Sequence, residues 1–259
     1  MTTPVAPRPS NQERLLATAA AAAYVAAMFV ATPAVLALVV ALAGIALWGG
    51  LARPSAWAVA SFGAIGCALH AIPGFGATWP LPLLVALASW VLLVRRAPEG
   101  LALAVWFPRG RPDRVTWTLT VVFVVVASVA LVTWFRLFRP DVSDLAERIP
   151  AWPVASLILL GVAFSMANAL AEELVYRGIL FGALERVWGT WPALVMQAVA
   201  FGLAHLHGFP RGWFGVALAT VYGLMTGILR VRSRGLVAPL IAHVAADATI
   251  FAILVTLAR

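Results

Sequence analysis

Three short stretches hold nearly all the chemistry this chain could do. "EELVYR" sets Glu172, Glu173 and Arg177 inside an apolar helical run, "FGLAH" ends on His205, and "HVAAD" carries His243 and Asp247. Ionisable groups inside membrane segments are costly, rare and usually functional. Residues four apart are neighbours on a helix, so Glu173 can pair with Arg177, His243 with Asp247, and Phe201 shares a face with His205. A paired charge tolerates burial where a lone one does not. Glu172 is turned about 100° from Glu173 and shares its face with Asn168 and Tyr176. The doublet therefore divides: Glu173 is held by Arg177, and Glu172 is free to work.

Glu172, His205, His243 and Asp247 can converge from three helices into one polar pocket. A carboxylate in an apolar setting suits general-base work near neutral pH. One histidine beside it can share the proton or orient a water, and a second can donate to a developing oxyanion. Such a set would hydrolyse a peptide bond without a covalent intermediate. Serine or cysteine catalysis fits poorly: there is no GxSxG, Cys67 has no evident partner, and Ser165 reads as a helix-packing residue. Two histidines with carboxylates would also suit zinc, but no HExxH occurs. No metal ligand is assigned and no cofactor is expected, with zinc the one ion the residue types leave open.

The elements that must position these groups are membrane helices. Of 259 residues, 63% are hydrophobic and 11% charged, against about 25% charged in soluble domains. All 18 basic residues are arginine, and the net charge is +8. They sit in short turns between apolar runs, where they orient a membrane protein and meet anionic lipid, so nucleic acid is not an expected partner. One cysteine excludes an internal disulfide and any CxxC site. The arginine, alanine and valine usage points to a GC-rich bacterial genome.

"MTTPVAPRPSNQER" is polar and proline-rich and reads as disordered or interfacial. The apolar run from Leu15 continues to Leu51 with little relief, so it reads as an uncleaved first span rather than a signal peptide. About 20 apolar residues cross a bilayer as a helix. Spans are expected near 15–31, 34–51, 56–72, 80–95, 116–135, 154–186 (overlong), 191–207, 213–230 and 236–257. The fold class is thus all-α, a polytopic bundle of eight or nine spans with the active site between membrane helices. Trp48, Trp79, Trp106, Trp134, Trp152, Trp188, Trp191 and Trp213 lie near segment ends and read as interfacial anchors.

Counting from a cytoplasmic N-terminus, the inner loops hold Arg8, Arg14, Arg53, Arg95, Arg96, Arg109, Arg111, Arg114, Arg186, Arg230, Arg232 and Arg234. The outer loop "RLFRPDVSDLAER" offsets three arginines with three acids, which fits the positive-inside bias. Seven of the ten acids fall in loops, tails or at a helix end: Glu13, Glu99, Asp113, Asp141, Asp144, Glu147 and Glu185. The other three lie deep in apolar runs of the last 110 residues. The chain therefore divides into an N-terminal membrane extension of about five helices (1–150) and a functional membrane core (151–259).

The ordered triplet resembles the EExxxR, FxxxH and HxxxN/D motifs of the CPBP family, which joins CAAX prenyl endopeptidases to bacteriocin-processing and immunity proteins. The resemblance covers about residues 151–257. It implies a glutamic-type intramembrane protease of the bacterial inner membrane, acting on a membrane-anchored protein or on a leader- or tag-bearing peptide. It implies that Glu172 activates water with His205 and that His243 with Asp247 lines the oxyanion site. Glu173, Arg177 and Phe201 would support them. Asp247 stands where the prenyl endopeptidases have asparagine, and an ionised aspartate cannot donate to an oxyanion, so Asp247 must be protonated, orient His243 or help hold a metal; the working hypothesis is that it orients His243. Two other readings compete: a non-proteolytic immunity or scaffold protein of the same fold, and a proton-coupled transporter. Buried Glu, His and Asp also serve proton relays, but no inverted repeat or pair of broken spans appears. Simple alternation of spans sets Glu172 towards the inner half and His205 towards the outer half, a separation the fold has to overcome.

Overall fold

The computed structural model describes residues 9–30, 32–96 and 103–257. The readings that place Arg8 and Glu99 in loops lie outside the described residues. Every regular element among the described residues is helical. We number ten of them: α1 (Asn11–Ala26), α2 (Thr32–Gly49), α3 (Pro54–His70), α4 (Leu81–Val94), α5 (Arg114–Phe138), α6 (Val154–Glu173), α7 (Phe181–Trp188), α8 (Thr190–Ala204), α9 (Gly212–Ser233) and α10 (Val237–Leu257). A π-helical turn, Leu174–Leu180, joins α6 to α7, so Val154–Trp188 runs on as one 35-residue helix.

Among the described residues, five helices are long and apolar enough to cross a membrane: α2, α5, the α6–α7 helix, α9 and α10. α4 and α8 are apolar but shorter, and α1 and α3 have 16 and 17 residues. The protein is thus a multi-pass membrane protein by the length and apolarity of its helices.

The helices form two compact units. The first comprises residues up to Leu103 together with Ile179–Met196. Here α3 packs against α1, α2, α4 and α7. The polar N-terminal stretch is not wholly irregular: Ser10 caps α1 by accepting the Glu13 amide at 3.1 Å. Glu13 in turn accepts the Ser55 amide at 3.2 Å, and Gln12 accepts from Arg53 at 2.6 Å. Residues 11–14 are therefore the first turn of a helix, because side-chain acceptors satisfy amides that a helix start leaves open.

The second unit comprises Ala104–Gly178 and the chain from Gln197 onward. α10 packs against α6, α5 and α9. Small residues set the spacing: a Cβ on Gly161 would meet the Phe251 ring at 2.6 Å, and one on Gly223 would meet the Ala198 Cα at 3.0 Å. Gly202 is tighter still, since its Cβ would lie 1.9 Å from Thr220 Oγ1 and 2.7 Å from the Val216 carbonyl. Close backbone approach through small residues is how membrane helices gain packing when burial of apolar surface offers little. Gly202→Ala is accordingly expected to lower stability by about 1–3 kcal/mol, the usual cost of overpacking. Thermal unfolding in detergent checks this, and Thr220→Ala should relieve only part of the loss because the Val216 carbonyl stays in place.

Two of the expected interfacial tryptophans are interior. Trp106 and Trp134 are buried, Trp134 edge-on to Phe209 at 5.1 Å, while Trp48, Trp79, Trp152, Trp188, Trp191 and Trp213 are exposed. Position near a segment end does not fix which face of the helix carries the ring.

The two ends of the second unit differ in charge. At one, the turn before α5 meets the turn between α9 and α10, with the Arg111 amide on the Ser233 carbonyl at 2.8 Å and the Leu236 amide on the Pro108 carbonyl at 2.9 Å. Asp113 caps α5 there; bonds from the Thr116 hydroxyl and amide, then Arg232, hold its carboxyl below the usual carboxylate range. At the other end Arg211 pairs with Asp144 at 2.9 Å and bonds the Asp141 carbonyl at 2.9 Å.

Candidate active site

The site lies wholly within the second unit and grows from the end of α6. Glu173 Oε1 pairs with Arg177 Nη1 at 3.0 Å, both side chains being essentially inaccessible. Arg177 also donates to Thr226 Oγ1 and stacks over the Phe201 ring, 4.3 Å from its centroid. Thr226 Oγ1 donates onward to the Tyr222 carbonyl at 2.9 Å. A guanidinium with no access to water thus has a carboxylate, a hydroxyl and an aromatic face about it, which is what burial of a charge demands. The π turn widens the helix where Arg177 must turn inwards, and Arg230 Nε bonds the Arg177 carbonyl at 3.2 Å. Such turns recur at functional sites.

Glu173 does a second job. Its Oε1 accepts from His243 Nδ1 at 2.8 Å, across 70 residues of sequence. That bond turns the other ring nitrogen, Nε2, towards Glu172 Oε2 at 3.5 Å and Asp247 Oδ1 at 3.7 Å. The short, directional bond to the His243 ring is therefore made by Glu173, while Asp247, the residue expected to orient that ring, faces Nε2 at ion-pair rather than hydrogen-bond distance. Asp247 is held instead by Asn168, whose Nδ2 donates to Asp247 Oδ2 at 3.0 Å and reaches Glu172 Oε1 at 3.4 Å. One amide group thereby spaces two carboxylates. Glu172 Oε2 is buried with no hydrogen-bond partner.

His205 is placed differently from the sequence expectation. It stands one residue past the end of α8, in a turn rather than on a helix face. The last turn tightens, with the His205 amide on the Gly202 carbonyl at 2.9 Å. That leaves the Phe201 carbonyl without its amide, and His205 Nδ1 takes it at 2.8 Å, as orphan carbonyls at helix ends require. Among the described residues no hydrogen bond joins His205 to Glu172. Phe201 links them indirectly: its buried ring lies 4.5 Å from the His205 ring and 5.7 Å from the His243 ring, edge-on to the latter. Glu172, Glu173 and Asp247 gather round His243, Arg177 joins them through Glu173, and the Phe201 ring lies against both His205 and His243.

Both histidines are anchored through Nδ1, to a carboxylate and to a carbonyl, so both present Nε2. The partner of one nitrogen fixes what the other can do. Among the described residues no three His, Cys, Asp or Glu groups stand together as metal ligands.

Sequence reasoning missed Thr226 and Tyr222, whose ring lies 5.7 Å from the His243 ring, and gave Asn168 no role. All three are polar groups within apolar helices, and an inventory of such positions beyond the titratable ones would have found them. In the 35-residue helix, Glu172 stands near the middle, about 27 Å along from Val154 at 1.5 Å per residue.

Asn168→Ala is expected to cost about 1–3 kcal/mol, because it strips a donor from two buried carboxylates. Thermal unfolding of Asn168→Ala beside Asn168→Asp checks this, the second adding a charge and losing more.

Residues 153–249 match the family model described as type II CAAX prenyl endopeptidase, Rce1-like. That stretch contains all three motifs, so it carries an Rce1-like domain of the CPBP kind. No curated protein and no solved structure matches the chain. The family is one of endopeptidases, whose substrates are proteins.

Proposed function

We propose that this chain is an intramembrane endopeptidase that hydrolyses a peptide bond of a membrane-anchored or leader- or tag-bearing substrate, using water activated by Glu172. The observation that carries the reading is the unlike provision of two adjacent glutamates. Both keep a buried Oε2 without a hydrogen-bond partner, but Glu173 Oε1 is shared by Arg177 and His243, whereas Glu172 pairs with no arginine among the described residues and holds its Oε2 3.5 Å from His243 Nε2.

In this mechanism Glu172 Oε2 takes a proton from water as the oxygen attacks the scissile carbonyl. Nε2 of His243, held in register by Glu173 on Nδ1, lies beside that oxygen; the imidazolium donates to the developing oxyanion, gives its Nε2 proton to the departing amine as the C–N bond breaks, and regains a proton from Glu172. His205, its Nδ1 tied to the Phe201 carbonyl, offers Nε2 from beside the Phe201 ring. Asp247 keeps the pocket negative and is spaced from Glu172 by Asn168. Fixed donors and acceptors that need no reorganisation during the reaction are the main source of such catalysis.

The catalytic machinery falls in 151–259, with 1–150 as the N-terminal membrane extension of a bundle of eight or nine spans. Arginine placement favours a cytoplasmic N-terminus in a bacterial inner membrane. In the second unit, the arginine-rich turns around Arg111 and Arg232 share one end, and the acids Asp141 and Asp144 share the other.

The test compares mature N- and C-termini of the membrane proteome in cells carrying the wild type and Glu172→Ala, with the abundance of the variant matched. The expected result is one class of protein that keeps an uncleaved segment only in the variant. Unchanged termini, with the cellular phenotype intact in the variant, would sink the protease reading and favour a scaffold or immunity role.

A further inference from the structure

The arginine-rich end of the second unit holds a cavity of about 730 Å³ lined by Arg109, Gly110, Arg111, Arg232, Ser233 and Arg234. Its two walls come from turns some 120 residues apart in sequence. Backbone bonds stitch them: Arg111 amide to Ser233 carbonyl at 2.8 Å, Leu236 amide to Pro108 carbonyl at 2.9 Å, and Val237 amide to Arg109 carbonyl at 3.4 Å. Gly110 and Gly235 make the seam: a Cβ on Gly110 would stand 2.6 Å from the Gly235 Cα, and one on Gly235 2.1 Å from the Gly110 nitrogen. Gly110 and Arg234 both adopt positive φ, +80° and +53°. The cations are therefore carried on a fixed frame rather than on loose loops.

Their charges are poorly compensated. Asp113 pairs with Arg232 at 3.2 Å, but it is already bound by Thr116. Among the described residues no carboxylate pairs with Arg109, Arg111 or Arg234. Topological bias explains arginines at an inner end, yet it does not require three unpaired guanidiniums around one cavity. Guanidinium groups match the geometry of phosphate oxygens through paired donors.

The position selects the kind of phosphate. The cavity adjoins the start of α5, the end of α9 and the start of α10, three helices long and apolar enough to span. The first two turns of α5 and α10 leave Val115, Trp117, Val237 and Ile241 exposed. A ligand with a phosphate head and hydrocarbon tails would lay the head on the arginines and the tails along these side chains. We propose that this cavity is a headgroup site for an anionic phospholipid, distinct from the Glu172 pocket. Basic pockets between spans on the cytoplasmic side serve such headgroups.

The test is binding by the full-length protein purified in detergent, read by native mass spectrometry with phosphatidylglycerol, phosphatidylcholine or inorganic phosphate. Phosphatidylglycerol adducts are expected to survive on the wild type under activation that strips phosphatidylcholine. In the triple variant Arg109→Gln/Arg111→Gln/Arg234→Gln, phosphatidylglycerol retention should fall by more than about tenfold. The corresponding lysine triple, which keeps the charge but loses the paired donors, should fall between the wild type and the glutamine triple. Should the glutamine triple fail to purify as a single species, each single variant carries the test with an expected loss of about fivefold. Equal retention by wild type and variants overturns the site. Inorganic phosphate that displaces phosphatidylglycerol at matched concentration overturns the lipid assignment and leaves a free-phosphate site. The readout is binding, so it stands or falls apart from hydrolysis.

Discussion

Glu172→Gln is expected to slow peptide hydrolysis by about 10²–10⁴-fold, the range that positioned general bases contribute, while the chain keeps its fold. The substitution conserves shape, and the amide oxygen it introduces can still accept from Asn168 Nδ2, which lies 3.4 Å from Glu172 Oε1 in the native chain. What it removes is a basic oxygen at the Oε2 position, the one with no partner of its own. The buried ion pair of Glu173 with Arg177 is untouched, so unfolding temperature should move little. Cleavage of a reporter substrate in reconstituted vesicles, beside thermal unfolding, gives both readouts. Full activity in Glu172→Gln would show that proton removal from water happens elsewhere, and Glu172 would then be a structural acid like its neighbour.

Glu173→Ala should behave in the opposite way, with the fold failing first. Arg177 is fully buried, and truncating its carboxylate partner leaves an uncompensated charge, typically a loss of about 3–5 kcal/mol. It also removes the acceptor for His243 Nδ1. The double variant Glu173→Gln/Arg177→Met separates the two effects. It deletes both charges, so most of the stability should return, and the glutamine carbonyl oxygen can still hold the His243 ring. Thermal unfolding of the single and double variants in detergent checks the first claim. If Glu173→Ala unfolds no earlier than wild type, the pair is not the keystone its burial implies. If the double variant stays as unstable as the single, packing rather than charge is the cause.

These two residues also mark how far the sequence alone reaches. The pairing of Glu173 with Arg177 was legible, because a four-residue spacing is a local property of a helix. The approximate bounds of the long apolar helices were legible for the same reason. What spans separate helices was not. Nothing in the spacing of "EELVYR" and "HVAAD" says that Glu173, rather than Asp247, takes the His243 ring; the local four-residue pair was the natural reading, and a contact across 70 residues displaced it. His205 was placed on a helix because its apolar surroundings continue without a breaker, whereas α8 ends at Ala204. The π turn over Leu174–Leu180 has no local composition signal. Burial of Trp106 and Trp134 likewise depends on neighbours the sequence does not name.

The continuous 35-residue helix from Val154 to Trp188 has a consequence for any substrate. At 1.5 Å per residue it is about 52 Å long, far more than the roughly 30 Å of hydrocarbon in a bilayer. Tilting or protruding, it carries Glu172 about 27 Å from one end and about 24 Å from the other. A peptide arriving at such a depth is itself most stable as a helix, because lipid offers its backbone no other partners. A helical carbonyl is engaged and shielded, so a peptide bond can be attacked only where the helix opens. On the hydrolytic reading, discrimination among substrates would then rest on how readily a segment unwinds, with glycine or proline near the scissile bond outweighing the side chains that flank it.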